Sequence, residues 1–168
     1  MEEMSTLIGK KLQSFRIVHL MMVFGDIIYG IVMLYIYKYA PLQPILKDVE
    51  TISLLEYSSF LVAVTVIAIV IIIRKSMLAS DSMFKIKETN KSIDEPVFFA
   101  NYLSMLFTIW AIIQIIAVIG VVLFLMSGKI IVPLVLIFIA ASFKLFNGSR
   151  FEELNQLAVK QESILVQK

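Results

Sequence analysis

Three side chains in this sequence set polar chemistry inside apolar surroundings: Asp26, Gln114 and His19. Asp26 is the tenth residue of an apolar run spanning about 17–37, and Gln114 falls in the middle of another at 98–126. A carboxylate at mid-depth in a lipid-embedded helix is costly unless it is neutral, paired or wetted. Two uses of such a residue follow. Asp26 can bind a proton or a cation beside a water-filled path or a subunit interface. Alternatively, Asp26 and Gln114 hydrogen-bond across helices and merely set the register of packing, as polar residues do in lipid. The two runs cross in the same direction, so their midpoints lie at similar heights. His19 precedes Asp26 by seven residues, about two turns on one helical face. The separation is roughly 10 Å along the axis, too long for a direct bond. A proton relay between them is conceivable; an ordinary histidine in the polar boundary layer is the simpler reading.

Most other chemistries are excluded by composition. The chain has no cysteine, so disulfides, thiolate catalysis, zinc–cysteine sites and iron–sulfur clusters are ruled out. One histidine cannot supply a bis-histidine haem site within one chain, and a metal site would have to rest on carboxylates. No phosphate loop, nucleophile–base set, HExxH or same-helix carboxylate pair is present. Net charge is +2, with the basic residues spread over several segments rather than clustered as nucleic-acid binding requires. The expectation is a protein that is not an enzyme, with no cofactor, no metal and no nucleic-acid partner.

The elements that must position these residues follow from the solvent. Hydrophobic residues make up 60% of the 168 positions, and mean hydropathy is +0.91. A soluble domain is about 45–50% apolar. The apolar residues also fall into runs near the roughly 20 residues that cross a ~30 Å hydrocarbon layer. Spans are expected at about 17–37, 54–73, 98–126 and 130–146. The second, with Val62, Val64, Val66, Ile67, Ile69, Val70 and Ile71–Ile73, would suggest a strand in water. In lipid an unpaired strand leaves its amides unsatisfied, so a helix is expected. The first run, preceded by Lys10, Lys11 and Arg16, is longer than a signal-peptide core of ~7–15 residues and reads as a retained span. Pro41 and Pro44 stop it. Asp94-Glu95-Pro96 reads as the start of the third helix. Ser127-Gly128-Lys129 is a tight turn that makes spans three and four an antiparallel hairpin, with Pro133 in the first turn of the fourth. Lys144, near the end of that span, is expected to snorkel its ammonium into the headgroups.

Residues 1–15 and 149–168 read as amphipathic tails lying along the membrane surface, with Leu12 and Phe15 on one apolar face and Leu154 and Ala158 on the other tail's. Gly25, Gly30 and Gly120 are points where helices could approach closely. Tyr29, Tyr35, Tyr37 and Tyr39 suit an aromatic belt, and the indole N–H of Trp110, inside the third run, needs a partner. Asp26-Ile27-Ile28 can be laid over Gln114-Ile115-Ile116, a faint sign of a duplicated hairpin. With the N-terminus inside, cytoplasmic segments, including a loop at 74–96, hold twelve of the fifteen basic residues; Lys38, Lys47 and Lys129 lie outside. That bias follows the positive-inside rule. The expected fold is therefore an all-α polytopic membrane protein: a single unit over 1–168, four transmembrane helices in a bundle, N-in and C-in.

Trp110 to Gly120, followed by the Ser-Gly turn, is similar to the carboxylate-bearing helix of rotary ATPase proteolipids, with Gln114 where that family has its ion-binding acid. Phe24-Gly25-Asp26 and the residues after it resemble the start of potassium channels with a Phe-Ser-Asp motif in the first helix. The whole chain also resembles small four-helix bacterial membrane proteins, a likeness that implies no activity. The functional expectation is a multi-pass component of the cell membrane (inner or plasma membrane). It would serve as an accessory or scaffold that self-associates as a homo-oligomer or packs with other membrane subunits. The competing expectation is a channel or transporter subunit that moves protons or cations through Asp26.

Overall fold

A computed structural model of the chain describes residues 2–40, 43–79, 84 and 97–166. It is all-helical: α1 (Glu2–Tyr39), α2 (Val49–Ala79), α3 (Val97–Ser127), α4 (Ile131–Phe146) and α5 (Phe151–Val166). Three stretches, Leu12–Tyr39, Val49–Ala79 and Phe98–Ser127, are long and apolar enough to cross a membrane. At 16 residues α4 is equally apolar but shorter, about 24 Å of helix. The Asp94-Glu95-Pro96 start and most of the 74–96 loop lie outside the described residues.

α1 runs as one helix through both the N-terminal tail and the first apolar run. No proline interrupts it, and it ends at Tyr39, two residues before Pro41. α2 opens on Asp48, whose carboxylate accepts from the Thr51 amide at 3.0 Å and from the Thr51 hydroxyl. Those bonds satisfy a free helix-start donor and hold the Asp48 carboxyl below its ordinary value. α3 ends at the expected turn. Gly128 sits at φ 66°, where a side chain would clash, and its amide donates back to Phe124 O at 2.9 Å.

The hairpin of α3 and α4 is the centre of the molecule, with α1 packed on α4 and α2 on α3. α3 presents a continuous buried stripe of Tyr102, Met105, Ile109, Ile113, Ile116 and Phe124, the three-and-four spacing of one helical face. Gly120 permits a close approach of α3 to α4: a methyl there would lie 3.0 Å from Pro133 O. The α2–α3 faces meet through Ala63, Val66 and Val70. In a lipid surround such faces would gain little from burial itself, and close packing and polar contacts between helices would hold them.

The tails differ from the surface-lying helices that amphipathicity suggests. Leu12 and Phe15 of α1, and Leu154 and Leu157 of α5, belong to the buried core. α5 folds onto α3. The apolar stripe that could have faced lipid finds protein instead, because the first turns of α3 extend beyond the end of the shorter α4 and offer a surface to cover.

Candidate functional site

One residue organises the interior, and its place near a helix end disguises it. The Lys144 ammonium donates to Asp26 Oδ2 at 2.7 Å and also to Gln114 Oε1. Lys144 and Asp26 are 0% and 1% exposed at the side chain. The expected snorkelling therefore does not occur. Lys144 projects from the face of α4 that meets α1 and α3, and a carboxylate held there costs less to pair with than to leave alone. Nor do Asp26 and Gln114 bond to each other among the described contacts; the ammonium stands between them and ties α1, α3 and α4 at one point. Gln114 is thirteen residues from Ser127, about 20 Å of helix, so a ~30 Å hydrocarbon layer beginning at that turn would enclose it. Asp26 Oδ1 is buried and has no hydrogen-bond partner.

His19 sits beside the same lysine by another route. Its Nε2 donates to the backbone Lys144 O at 2.8 Å, which places the proton on Nε2, since a carbonyl only accepts. The ring is 7% exposed and stacks on Trp110 at 4.5 Å between centroids, 14° from parallel. Trp110 also stacks on Phe15 at 4.9 Å between centroids. So His19 is a packed interior group rather than a boundary-layer histidine. Lys144 lies between it and Asp26, taking His19 at the backbone and Asp26 at the ammonium. Gly148 allows this fit: a methyl there would lie 2.9 Å from His19 Cε1.

A second polar cluster closes the same end of the fold. The Trp110 indole N–H donates to Asn147 O at 3.1 Å, and Arg74 Nη1 donates to Asn147 Oδ1 at 2.9 Å. Arg74 Nη2 reaches both oxygens of Glu153 at 2.8 Å, and the Tyr102 hydroxyl donates to Glu153 Oε2 at 2.8 Å. The Arg150 amide in turn donates to the Tyr102 oxygen at 3.0 Å. Four helices, α2 to α5, converge here. By sequence alone, Arg74 borders the second apolar run and Glu153 lies in the C-terminal tail. The available signal was an arginine bordering an apolar run with a carboxylate just past the fourth helix, but nothing in the spacing pairs residues 79 positions apart.

Chemically, the arrangement binds its own charges. The carboxylate that could take a proton or cation already holds an internal ammonium, and the guanidinium at the helix ends holds a carboxylate. Among the described residues, no group of three or more His, Asp or Glu side chains could hold a metal ion. No family model matches the chain, and no curated protein or solved structure matches it.

Proposed function

We propose that the chain is a four-span integral membrane protein of the cell membrane, N-in and C-in. Without catalysis, it serves as an accessory or scaffold component that packs with copies of itself or with larger membrane subunits. The Lys144–Asp26 pair is the observation that carries this reading. A transport carboxylate must release and rebind its ion, whereas Asp26 has a tethered cation at 2.7 Å supplied by the same chain. The polar interior then serves to fix how α1, α3 and α4 pack. Wide apolar faces remain for lipid or neighbouring subunits: Met21, Phe24 and Ile31 on α1, and Leu54, Leu61 and Ile72 on α2, are all more than 45% exposed. The fourth crossing is supported by the tight turn at Gly128, which sends α4 back along α3. Its short length is eased by Lys129 at one end and Arg150 at the other, which can mark the two interfaces.

Two experiments test this. The absence of native cysteine lets single cysteines report sidedness without background. Gln43→Cys should react with an impermeant maleimide on intact cells, and Ser149→Cys only after permeabilisation; the reverse pattern overturns the orientation. In proteoliposomes the wild-type chain should carry no proton or cation flux. Flux that Asp26→Asn abolishes, with the fold retained, would replace the scaffold reading by a translocating subunit. That second reading draws its support from the one uncommitted oxygen of Asp26, Oδ1.

A further inference from the structure

We propose that the cleft between α2 and the α4–α5 junction binds the phosphodiester headgroup of an anionic phospholipid. This rests on the membrane reading above and adds a ligand to it.

The cleft holds about 320 Å³ and is lined by Ile71, Arg74, Lys75 and Leu78 of α2, with Arg150 and Glu153 from the other side. That volume falls within the range of small-ligand pockets, about 300–1,000 Å³. Its depth is set by the sequence: Arg74 and Lys75 directly follow Ile71–Ile73, and Arg150 lies four residues past the end of α4. Both sides therefore change from apolar to cationic at one level, where a lipid phosphate lies.

The charges are divided unevenly. Glu153 is turned to Arg74 and Tyr102, so its charge is offset inside the fold. Arg74, held by Asn147 and Glu153, forms a fixed floor. Lys75 is exposed and makes no hydrogen bond or ion pair within the described residues. Arg150 is 59% exposed at the side chain, with Nη2 reaching only Phe146 O at 3.3 Å and Nε 4.0 Å from Glu153. Among the described residues that line it, three cations against one carboxylate leave two positive charges facing the cleft. Ile71 and Phe146, 54% and 72% exposed, continue from it onto the apolar surface, where the acyl chains of a bound lipid would run. Basic pockets between spans are a recurrent form of headgroup recognition. A zwitterionic choline lipid offers the same phosphodiester, but its ammonium would be repelled by Lys75 and Arg150.

The test uses the full chain in nanodiscs, with phosphatidylglycerol titrated into phosphatidylcholine and binding read by native mass spectrometry and thermal shift. Phosphatidylglycerol should bind preferentially and raise the melting temperature. Lys75→Gln/Arg150→Gln should weaken its binding roughly 30-fold, about fivefold per surface cation. The control Lys38→Gln/Lys129→Gln, at the opposite end, should keep the preference. Equal binding of the two lipids, or an unchanged preference in the cleft variant, overturns the proposal. Inorganic phosphate stabilising the protein as well as phosphatidylglycerol does would show a free-phosphate site and overturn the lipid assignment. Failure here leaves the maleimide result untouched, so the two readings fall separately.

Discussion

Replacing Lys144 by methionine removes the ammonium from Asp26 and Gln114 while keeping a flexible apolar stem of similar length. The consequence depends on whether the pair behaves as a surface or a buried contact. Exposed ion pairs contribute about 0–1 kcal/mol. Lys144 and Asp26 are 0% and 1% exposed and 2.7 Å apart, so the buried regime applies. There, loss of one partner leaves an uncompensated charge and costs about 3–5 kcal/mol. A lone aspartate at the centre of a lipid-embedded helix carries a penalty of similar order, about 2.5–3.5 kcal/mol. Removing both partners is different: Asp26→Leu/Lys144→Met leaves no buried charge and should return to within about 1–2 kcal/mol of wild type. Gln114 then loses its partner and accounts for part of the remainder. Trp110 is the only tryptophan and stacks on His19 beside the site, so its emission during detergent-induced unfolding reports the transition directly. Lys144→Met within about 1 kcal/mol of wild type, or a double variant whose loss equals the sum of the single losses, would refute the view of Asp26 as neutralised by Lys144.

Other perturbations separate tight contacts from loose ones. Gly120→Leu should cost about 1–3 kcal/mol in the same unfolding assay, because its Cβ would already lie 3.0 Å from Pro133 O. Gly25→Ala should instead be neutral or stabilise by up to about 1 kcal/mol, since nothing lies within 4 Å of the added methyl. Arg74→Gln should release α5 from its bidentate anchor, seen as faster proteolytic cleavage within residues 151–166 with the apolar helices intact. At the other end of α2, the Thr51 hydroxyl and amide depress the Asp48 carboxyl below its ordinary value of 3.8. A depressed carboxylate stabilises the fold above its unfolded value, and that contribution is lost as pH falls through the lower folded value. Asp48→Ala should therefore lower the melting temperature at pH 7, and the gap should begin to narrow only below about pH 4, closing as pH falls further.

Helix content follows from the chain alone, because apolar runs the length of those around Ile31, Val66 and Ile113 can satisfy their amides in lipid only by coiling. The same holds for the turn at Gly128, the one described residue with positive φ, whereas the start of α2 just after Asp48, well before the apolar run at 54–73, was not legible. Asp26, Gln114 and His19 were conspicuous for the same reason: polar atoms in an apolar run are costly and so carry information. What unites them was not legible. Lys144 stands two residues from the end of α4, where a lysine usually bends toward the headgroups; its inward course depends on which face of α4 meets α1. Arg74 and Glu153 likewise read as a boundary residue and a tail residue until the hairpin brings α2 and α5 together. A sequence states which groups cannot be left unpaired, through the local cost of each group in its own segment. Which partner answers is decided by helix rotation and contact across long separations, and those exist only once the helices have packed.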